Sequence, residues 1–303
     1  MIKKAVIDLG SNTFHLLIVE ISGDKKFEAI YRKRVFTGLS DGGIKTIKNE
    51  KIDLGLSTLH EFKKTLDQYG NPELRVIGTA VLRQAENRHL FIDKATKILN
   101  TPIEIIDGHQ EADYIFKGIT LLDDFNTGTH LVMDIGGGST EFILIKNGEK
   151  IWSKSYLLGV GVLHELFHKS EPISEHELSL MNSHILHTLS DLNFMIEKFK
   201  PTTLAGASGS FEVLQTMVGL DPENIKATLV APDMFYTICN RIVSSDENQR
   251  SKIEGLPIER VKLIVVGMAL KKIICDMVQP EKIIVSPYAL KEGVLREMIS
   301  LDI

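Results

Sequence analysis

Apolar positions in the first third of the chain come in short runs, interrupted by one long stretch of helical period. Residues 5–8 are a brief apolar run that ends in a Gly-Ser-Asn turn. A second run covers 14–21 and is rich in Leu, Ile and Val, and 25–35 alternates well enough for a third strand. Ile52, Leu56, Leu59, Phe62 and Leu66 recur at helical spacing within 49–69, and Gly70-Asn71-Pro72 stops that helix. The pattern then predicts strands at 74–77 and 103–106, and helices at 87–99 and about 110–122. The polar stretch 123–129, with Asn126 and Gly128, is read as a boundary between domains at 1–124 and 125–303.

Beyond that boundary the opening pattern returns. A strand at 130–134 runs into Gly-Gly-Gly-Ser-Thr, another follows at 142–145, and Asn147-Gly148 signals a hairpin. Helices are expected at about 174–199, 232–243 and 258–278, separated by short apolar runs at 203–205 and 282–285. A last helix, about 289–299, could pack back on the first domain. Val6-Ile7-Asp8-Leu9-Gly10-Ser11-Asn12-Thr13 and Val132-Met133-Asp134-Ile135-Gly136-Gly137-Gly138-Ser139-Thr140 repeat one device: strand, aspartate, apolar residue, glycine, small polar residues, strand. The repeat predicts an α/β protein of two duplicated domains that face each other.

Charge and cysteine content narrow the function classes. A formal net charge of −5 argues against non-specific nucleic-acid binding but leaves an anionic substrate open, because backbone N–H groups and a few local cations can hold phosphate. Cys239 and Cys275 have no metal or redox spacing and suit a reduced, cytoplasmic setting. The first apolar run breaks at Asp8, so it reads as neither signal peptide nor membrane span, and no later run is long enough to cross a bilayer.

The two glycine turns are the candidate chemistry. A tight turn between strands exposes several N–H groups, and glycine lets phosphate oxygens approach the backbone. Ser11, Asn12, Thr13, Ser139 and Thr140 can add donors around Gly10 and Gly136, Gly137 and Gly138. Asp8 and Asp134 cannot take phosphate themselves and suit Mg²⁺ bridging to it. A third cluster, Gly206-Ala207-Ser208-Gly209-Ser210, precedes a helix and reads equally as a helix cap or as a phosphate contact.

In that order, these motifs resemble the exopolyphosphatase and guanosine pentaphosphate phosphohydrolase family. The resemblance also includes Gly78-Thr79-Ala80-Val81-Leu82-Arg83-Gln84-Ala85-Glu86-Asn87, Ile103 to Ala112 with Asp107-Gly108-His109-Gln110-Glu111, and Val285-Ser286-Pro287-Tyr288-Ala289-Leu290-Lys291-Glu292-Gly293. It implies the superfold of actin, sugar kinases and heat-shock ATPases: two ribonuclease H-like domains with a cleft between them. It implies Glu111 as the base that activates water, Asp8, Asp134 and Glu141 as metal-associated acids, and Arg83 as a phosphate contact. Gly206, Ser208 and Gly209 would line the far side of the cleft. The expected reaction is release of terminal phosphate from inorganic polyphosphate, with guanosine penta- or tetraphosphate as the alternative substrate. The chain departs from the family at Gln110, often acidic there, and at Lys262, where an aspartate usually follows the Glu259-Arg260 motif. The extra C-terminal helical domains of long members do not appear in the sequence. Oligomeric state is left open: an apolar helix pair near the C-terminus could make a homodimer or could be covered within the chain.

Two other readings compete. The superfold also carries kinases and filament ATPases that share the phosphate loops. His164-Glu165-Leu166-Phe167-His168 matches the zinc-peptidase pattern, with His184 or His187 as the third ligand that pattern needs. Its plainer reading is a helix with an apolar face of Leu163, Leu166 and Phe167 and both histidines on the solvated side.

Overall fold

The computed structural model describes residues 2–22, 26–207, 209–219 and 226–301. Its first strands are β1 (Ile2–Leu9), β2 (Thr13–Ile21) and β3 (Phe27–Phe36), followed by α1 (Asn49–Gln68) and β4 (Glu73–Gly78). Then come α2 (Ala80–Gln84), α3 (His89–Leu99), β5 (Ile103–Ile105), α4 (Gly108–Ile119) and a 3-10 turn at Asp123–Phe125. The next part holds β6 (Thr129–Ile135), β7 (Thr140–Lys146), β8 (Glu149–Tyr156), α5 (Val160–Phe167), α6 (Glu175–Thr188), α7 (Ser190–Phe199) and β9 (Thr203–Gly206). It closes with α8 (Gly209–Met217), β10 (Thr228–Val230), α9 (Pro232–Val243), α10 (Glu247–Arg250), a 3-10 turn at Ile258–Arg260, α11 (Ile264–Val278), β11 (Lys282–Val285) and α12 (Leu290–Ser300).

Contacts divide the chain into two units. One comprises Met1–Gly118, Gly136–Gly138 and Leu290–Ile303, the other Ile119–Ile135 and Ser139–Ala289. Among the described residues, the first sheet has the order β3-β2-β1-β4-β5 and the second β10-β11-β9-β6-β7-β8. The plan is the same in both. An antiparallel meander (β1 to β3, or β6 to β8) is extended by parallel strands, β4 and β5 in one sheet, β9 and β11 in the other. The duplicated α/β architecture predicted from the repeat is therefore present, and the register defines it residue by residue. Asp8 stands opposite His15 across β1 and β2, and Asp134 opposite Glu141 across β6 and β7.

Each unit buries its own core. In the first, Ile52, Leu59, Phe62 and Leu66 of α1 pack with Ala5, Ile7 and Leu9 of β1. In the second, Met133, Phe142 and Leu144 meet Leu163, Met181, Val265 and Leu270 from the helices. Burying one such Leu or Phe side chain contributes roughly 1.5–3 kcal/mol.

Two predicted helices are divided. The expected 174–199 helix breaks at Leu189, whose backbone leaves the helical region at φ −95° and ψ 20°. Met181, Ile185, Leu189, Leu192 and Ile196 are all buried at spacings of three or four, so the apolar period continues through the break and conceals it. The start of α6 is fixed by a capping box between Ser174 and Glu177. The expected 258–278 helix is a 3-10 turn followed by α11. Between them, the Val261 carbonyl accepts a bond from Nε of the fully buried Arg250 at 2.9 Å, in place of one within a helix. No helix among the described residues is long and apolar enough to cross a membrane.

Candidate functional site

The glycine turn after β1 is tied down on several sides. Ser11 Oγ accepts a bond from Val81 N at 3.2 Å, at the start of α2, and Asn12 Oδ1 accepts one from Ser40 Oγ at 2.7 Å. The Asn12 carbonyl accepts from the backbone N of Thr37 and Gly38, and the Ser11 carbonyl from Ser40 N, each at 2.9 Å. Ser11, Asn12 and Thr13 are all buried, so these side chains chiefly shape the turn. Within the same unit, Gly137 lies directly on it: a Cβ there would come within 2.7 Å of Asn12 Nδ2 and 2.8 Å of Ser11 Cβ. At Gly138 a Cβ would come within 2.9 Å of Ala80 Cβ. Glycine at 137 and 138 is thus demanded by close approach. Gly10 is half-buried beside them.

Glu111 sits in the first turn of α4. Asp107 caps that helix, its Oδ1 accepting from His109 N at 2.9 Å and Gln110 N at 2.8 Å, while Gln110 Oε1 accepts from Asp107 N at 3.1 Å. Gln110, the departure from the family pattern, therefore completes a capping box. Glu111 is 8% exposed, and Arg83 of α2 places Nη1 3.3 Å from Glu111 Oε2 and 2.6 Å from the Ile106 carbonyl. The guanidinium expected to contact phosphate is here paired with the carboxylate expected to act as base. The positive end of α4 and the guanidinium both favour negative charge at that point.

In the second unit, Asp134, Glu141 and Ser155 form one row across β6, β7 and β8. Glu141 is buried and accepts a bond from Ser155 Oγ at 2.7 Å, and Asp134 is half-buried; Ser139, just before β7, is buried. The third glycine cluster lies between β9 and α8; Gly206 ends the strand and Gly209 opens the helix, while Ser208 lies outside the described residues. The Gly206 carbonyl accepts from Ser286 N at 2.8 Å. A Cβ at Gly209 would stand 2.2 Å from Arg260 Nη2, so a guanidinium rests on the first residue of α8. Lys271 of α11, which the sequence reading passed over, is fully buried beneath that helix. It donates through Nζ to the Ser210 carbonyl and lies 4.7 Å from the centre of the Phe211 ring. Burial pushes its pKa down to about 7.

The His164–His168 motif takes a different form from both readings of it. His168 is buried rather than solvated, and Leu166, expected on the apolar face, is 54% exposed. The two rings meet edge to face at 5.0 Å. His168 Nε2 lies 3.3 Å from Glu171 Oε1, which the buried Arg250 engages at 2.7 Å. Burial pushes His164 down to about 4 and lowers His168 as well. His184 and His187 are exposed, and no three His, Cys, Asp or Glu side chains among the described residues are grouped to hold a metal.

Comparison with known proteins gives this geometry its context. The model of the Ppx/GppA phosphatase family matches residues 17–301. The chain belongs to that family. Among Ppx/GppA relatives, the guanosine-5'-triphosphate,3'-diphosphate pyrophosphatase of Vibrio vulnificus is 30% identical over 300 residues, and that of Aliivibrio fischeri strain ES114 is 30% identical over 301. The chain covers 98% and 97% of its own length in these matches but 59% of theirs, so it spans well under two thirds of these Ppx/GppA relatives. Among solved Ppx/GppA structures, an exopolyphosphatase from Cytophaga hutchinsonii superposes with a TM-score of 0.93 at 33% identity, over 98% of both chains. The Aquifex aeolicus family member has the same fold, with a TM-score of 0.82 at 23% identity over 99% of this chain and 98% of that one.

Proposed function

We propose that the protein releases terminal orthophosphate from inorganic polyphosphate, with Glu111 as the general base. The observation that carries this reading is the placement of Glu111: in the first turn of a capped helix, nearly buried, and held by Arg83 at 3.3 Å. A carboxylate fixed in this way can orient a water and accept its proton as the water attacks a phosphorus atom. The glycine turns at 10–13 and 136–139 offer backbone N–H groups to phosphate oxygens, and Arg260 beside Gly209 offers a charge.

The acidic residues suit Mg²⁺. Asp134 and Glu141 are oxygen donors directly opposed on neighbouring strands, an unfavourable arrangement for two carboxylates unless positive charge or donors lie close by. Mg²⁺ commonly takes one or two carboxylates together with waters and phosphate oxygens, so a cage of three side chains is not required. In the second unit Asp134 and Glu141 would hold it, Asp8 is the corresponding acid of the first unit, and bound Mg²⁺ would neutralise charge on a transferring phosphoryl group.

Polyphosphate is favoured by the Cytophaga exopolyphosphatase, which this chain matches over 98% of both lengths. A pppGpp 5'-phosphohydrolase is the second reading, favoured by the names of the Vibrio and Aliivibrio relatives. Both substrates present a terminal phosphoanhydride to the same groups.

The test is phosphate release with Mg²⁺ from short-chain polyphosphate and from pppGpp, for wild type and Glu111→Gln. A positioned base contributes about 10²–10⁴-fold, so the variant should lose at least about 100-fold in kcat. Wild-type release from neither substrate, or an active Glu111→Gln, would refute the proposal, and the preferred substrate decides between the two readings.

A further inference from the structure

Position 293, on α12, has no room for a side chain. A Cβ there would stand 1.8 Å from the Tyr114 carbonyl oxygen, 2.7 Å from its carbon and 3.0 Å from Gly118 N. All three atoms are backbone of α4, which cannot rotate away as a side chain can. Tyr114 lies one turn beyond Glu111, so α12 bears directly on the helix that carries the proposed base.

The polar groups around this contact converge on one residue of α12. Tyr114 Oη donates to Glu297 Oε1 at 2.8 Å, Arg75 Nη1 donates to the same oxygen at 3.1 Å, and Lys117 Nζ binds Glu297 Oε2. Arg75 is itself anchored by Glu104, the middle residue of β5. The other side of α4 is held near its start by Arg83, through Glu111 and the Ile106 carbonyl. The helix is therefore gripped at two points, and the α12 contact sets its depth.

We propose that Gly293 and Glu297 are positioning residues for Glu111: the backbone contact fixes how far α4 stands from α12, the Glu297 cluster fixes its rotation, and together they place the carboxylate against Arg83. The proposal rests on the reading of Glu111 as the base. Gly293→Ala must open the contact by roughly 1 Å or more, and a misplacement of about 1 Å can cost about 100-fold in rate. Glu297→Gln keeps the shape but removes the charge that Arg75 and Lys117 share.

The experiment measures kcat and KM for phosphate release from short-chain polyphosphate with Mg²⁺ across pH 5.5–9, alongside melting temperature, for wild type, Glu111→Gln, Gly293→Ala and Glu297→Gln. The expected result is a fall in kcat of about 10–100-fold for Gly293→Ala. KM should stay within about threefold, and the acid limb of the kcat profile should move because the Glu111–Arg83 spacing has changed. Glu297→Gln should show the same pattern more weakly, and it serves alone if Gly293→Ala does not fold. A folded variant with wild-type kcat and pH profile would overturn the proposal, as would kcat and KM worsening together with an unmoved profile. Wild-type release that Glu111→Gln leaves intact would remove the base assignment itself, a result distinguishable from either of those.

Discussion

Replacing Lys271 with methionine should stabilise this protein, by an amount that depends on pH. The ammonium is fully buried, with Phe211, Met268 and the Ser210 carbonyl around it. Burial brings its pKa from 10.5 to about 7. At roughly 1.4 kcal/mol per pH unit, that gap is a cost of about 5 kcal/mol for carrying the charge inside. The bond to the Ser210 carbonyl and the contact with the Phe211 ring return part of it, so a net gain of about 2–3 kcal/mol is expected for the variant at pH 6–7. The sign with pH follows from proton binding. Below about pH 7 the lysine is charged in both folded and unfolded states, and the full cost is present. Between about 7 and 10.5 the unfolded chain holds a proton that the folded chain has lost, so wild-type stability rises with pH through that window. The advantage of Lys271→Met should therefore be largest at pH 6–7, shrink by about 1.4 kcal/mol per pH unit above 7, and change sign near pH 9. Urea unfolding at several pH values reads this directly. Lys272→Met is the control, because Lys272 is partly exposed and pairs with Asp276 at 2.8 Å. A variant less stable than wild type at pH 6–7, or a difference that does not change with pH, would refute the reasoning.

Two further outcomes are expected. His164, pushed down to about 4, and His168, also lowered, stay neutral in the folded state while the unfolded chain takes up protons below about 6.5. Stability should fall as pH drops from 6.5 towards 4, by about 1–2 kcal/mol for His164 after allowance for its partial exposure, and His164→Gln should flatten that slope in urea titrations. Gly209→Ala should push the Arg260 guanidinium off the start of α8 and raise KM for polyphosphate about tenfold, the equivalent of one charge-assisted contact of roughly 1.5 kcal/mol; an unchanged KM in steady-state kinetics would remove Arg260 from the binding groups.

Much of the architecture was legible in the sequence because its signals are local. The repeated Asp-apolar-Gly device places Asp8 and Asp134 at matching positions of two meanders. The Asp107-Gly108-His109-Gln110 stretch likewise marks the start of α4. What could not be read depends on neighbours far along the chain. Arg83 and Glu111 are 28 residues apart, and their pairing follows from the parallel placement of β4 and β5. Gly293 resembles any glycine in a helix until Tyr114 is seen against it. Lys271 and Lys272 are alike in sequence, but helical rotation buries one and leaves the other partly exposed. The break at Leu189 is hidden because the buried positions keep their spacing across it.

The return of Leu290–Ile303 to the first unit has a consequence for the order in which the protein is completed. A ribosome releases β1 first, yet α12, the partner of Tyr114 and Arg75, emerges roughly 170 residues after Gly118, a delay of about 10–30 s at ~5–20 residues per second. The second unit has all its segments by Ala289 and can close while the first still waits for its final helix. The unit begun first thus gains its last segment after the second has all of its own, and the helix that bears Glu111 meets α12 only once residues 290–300 have been translated.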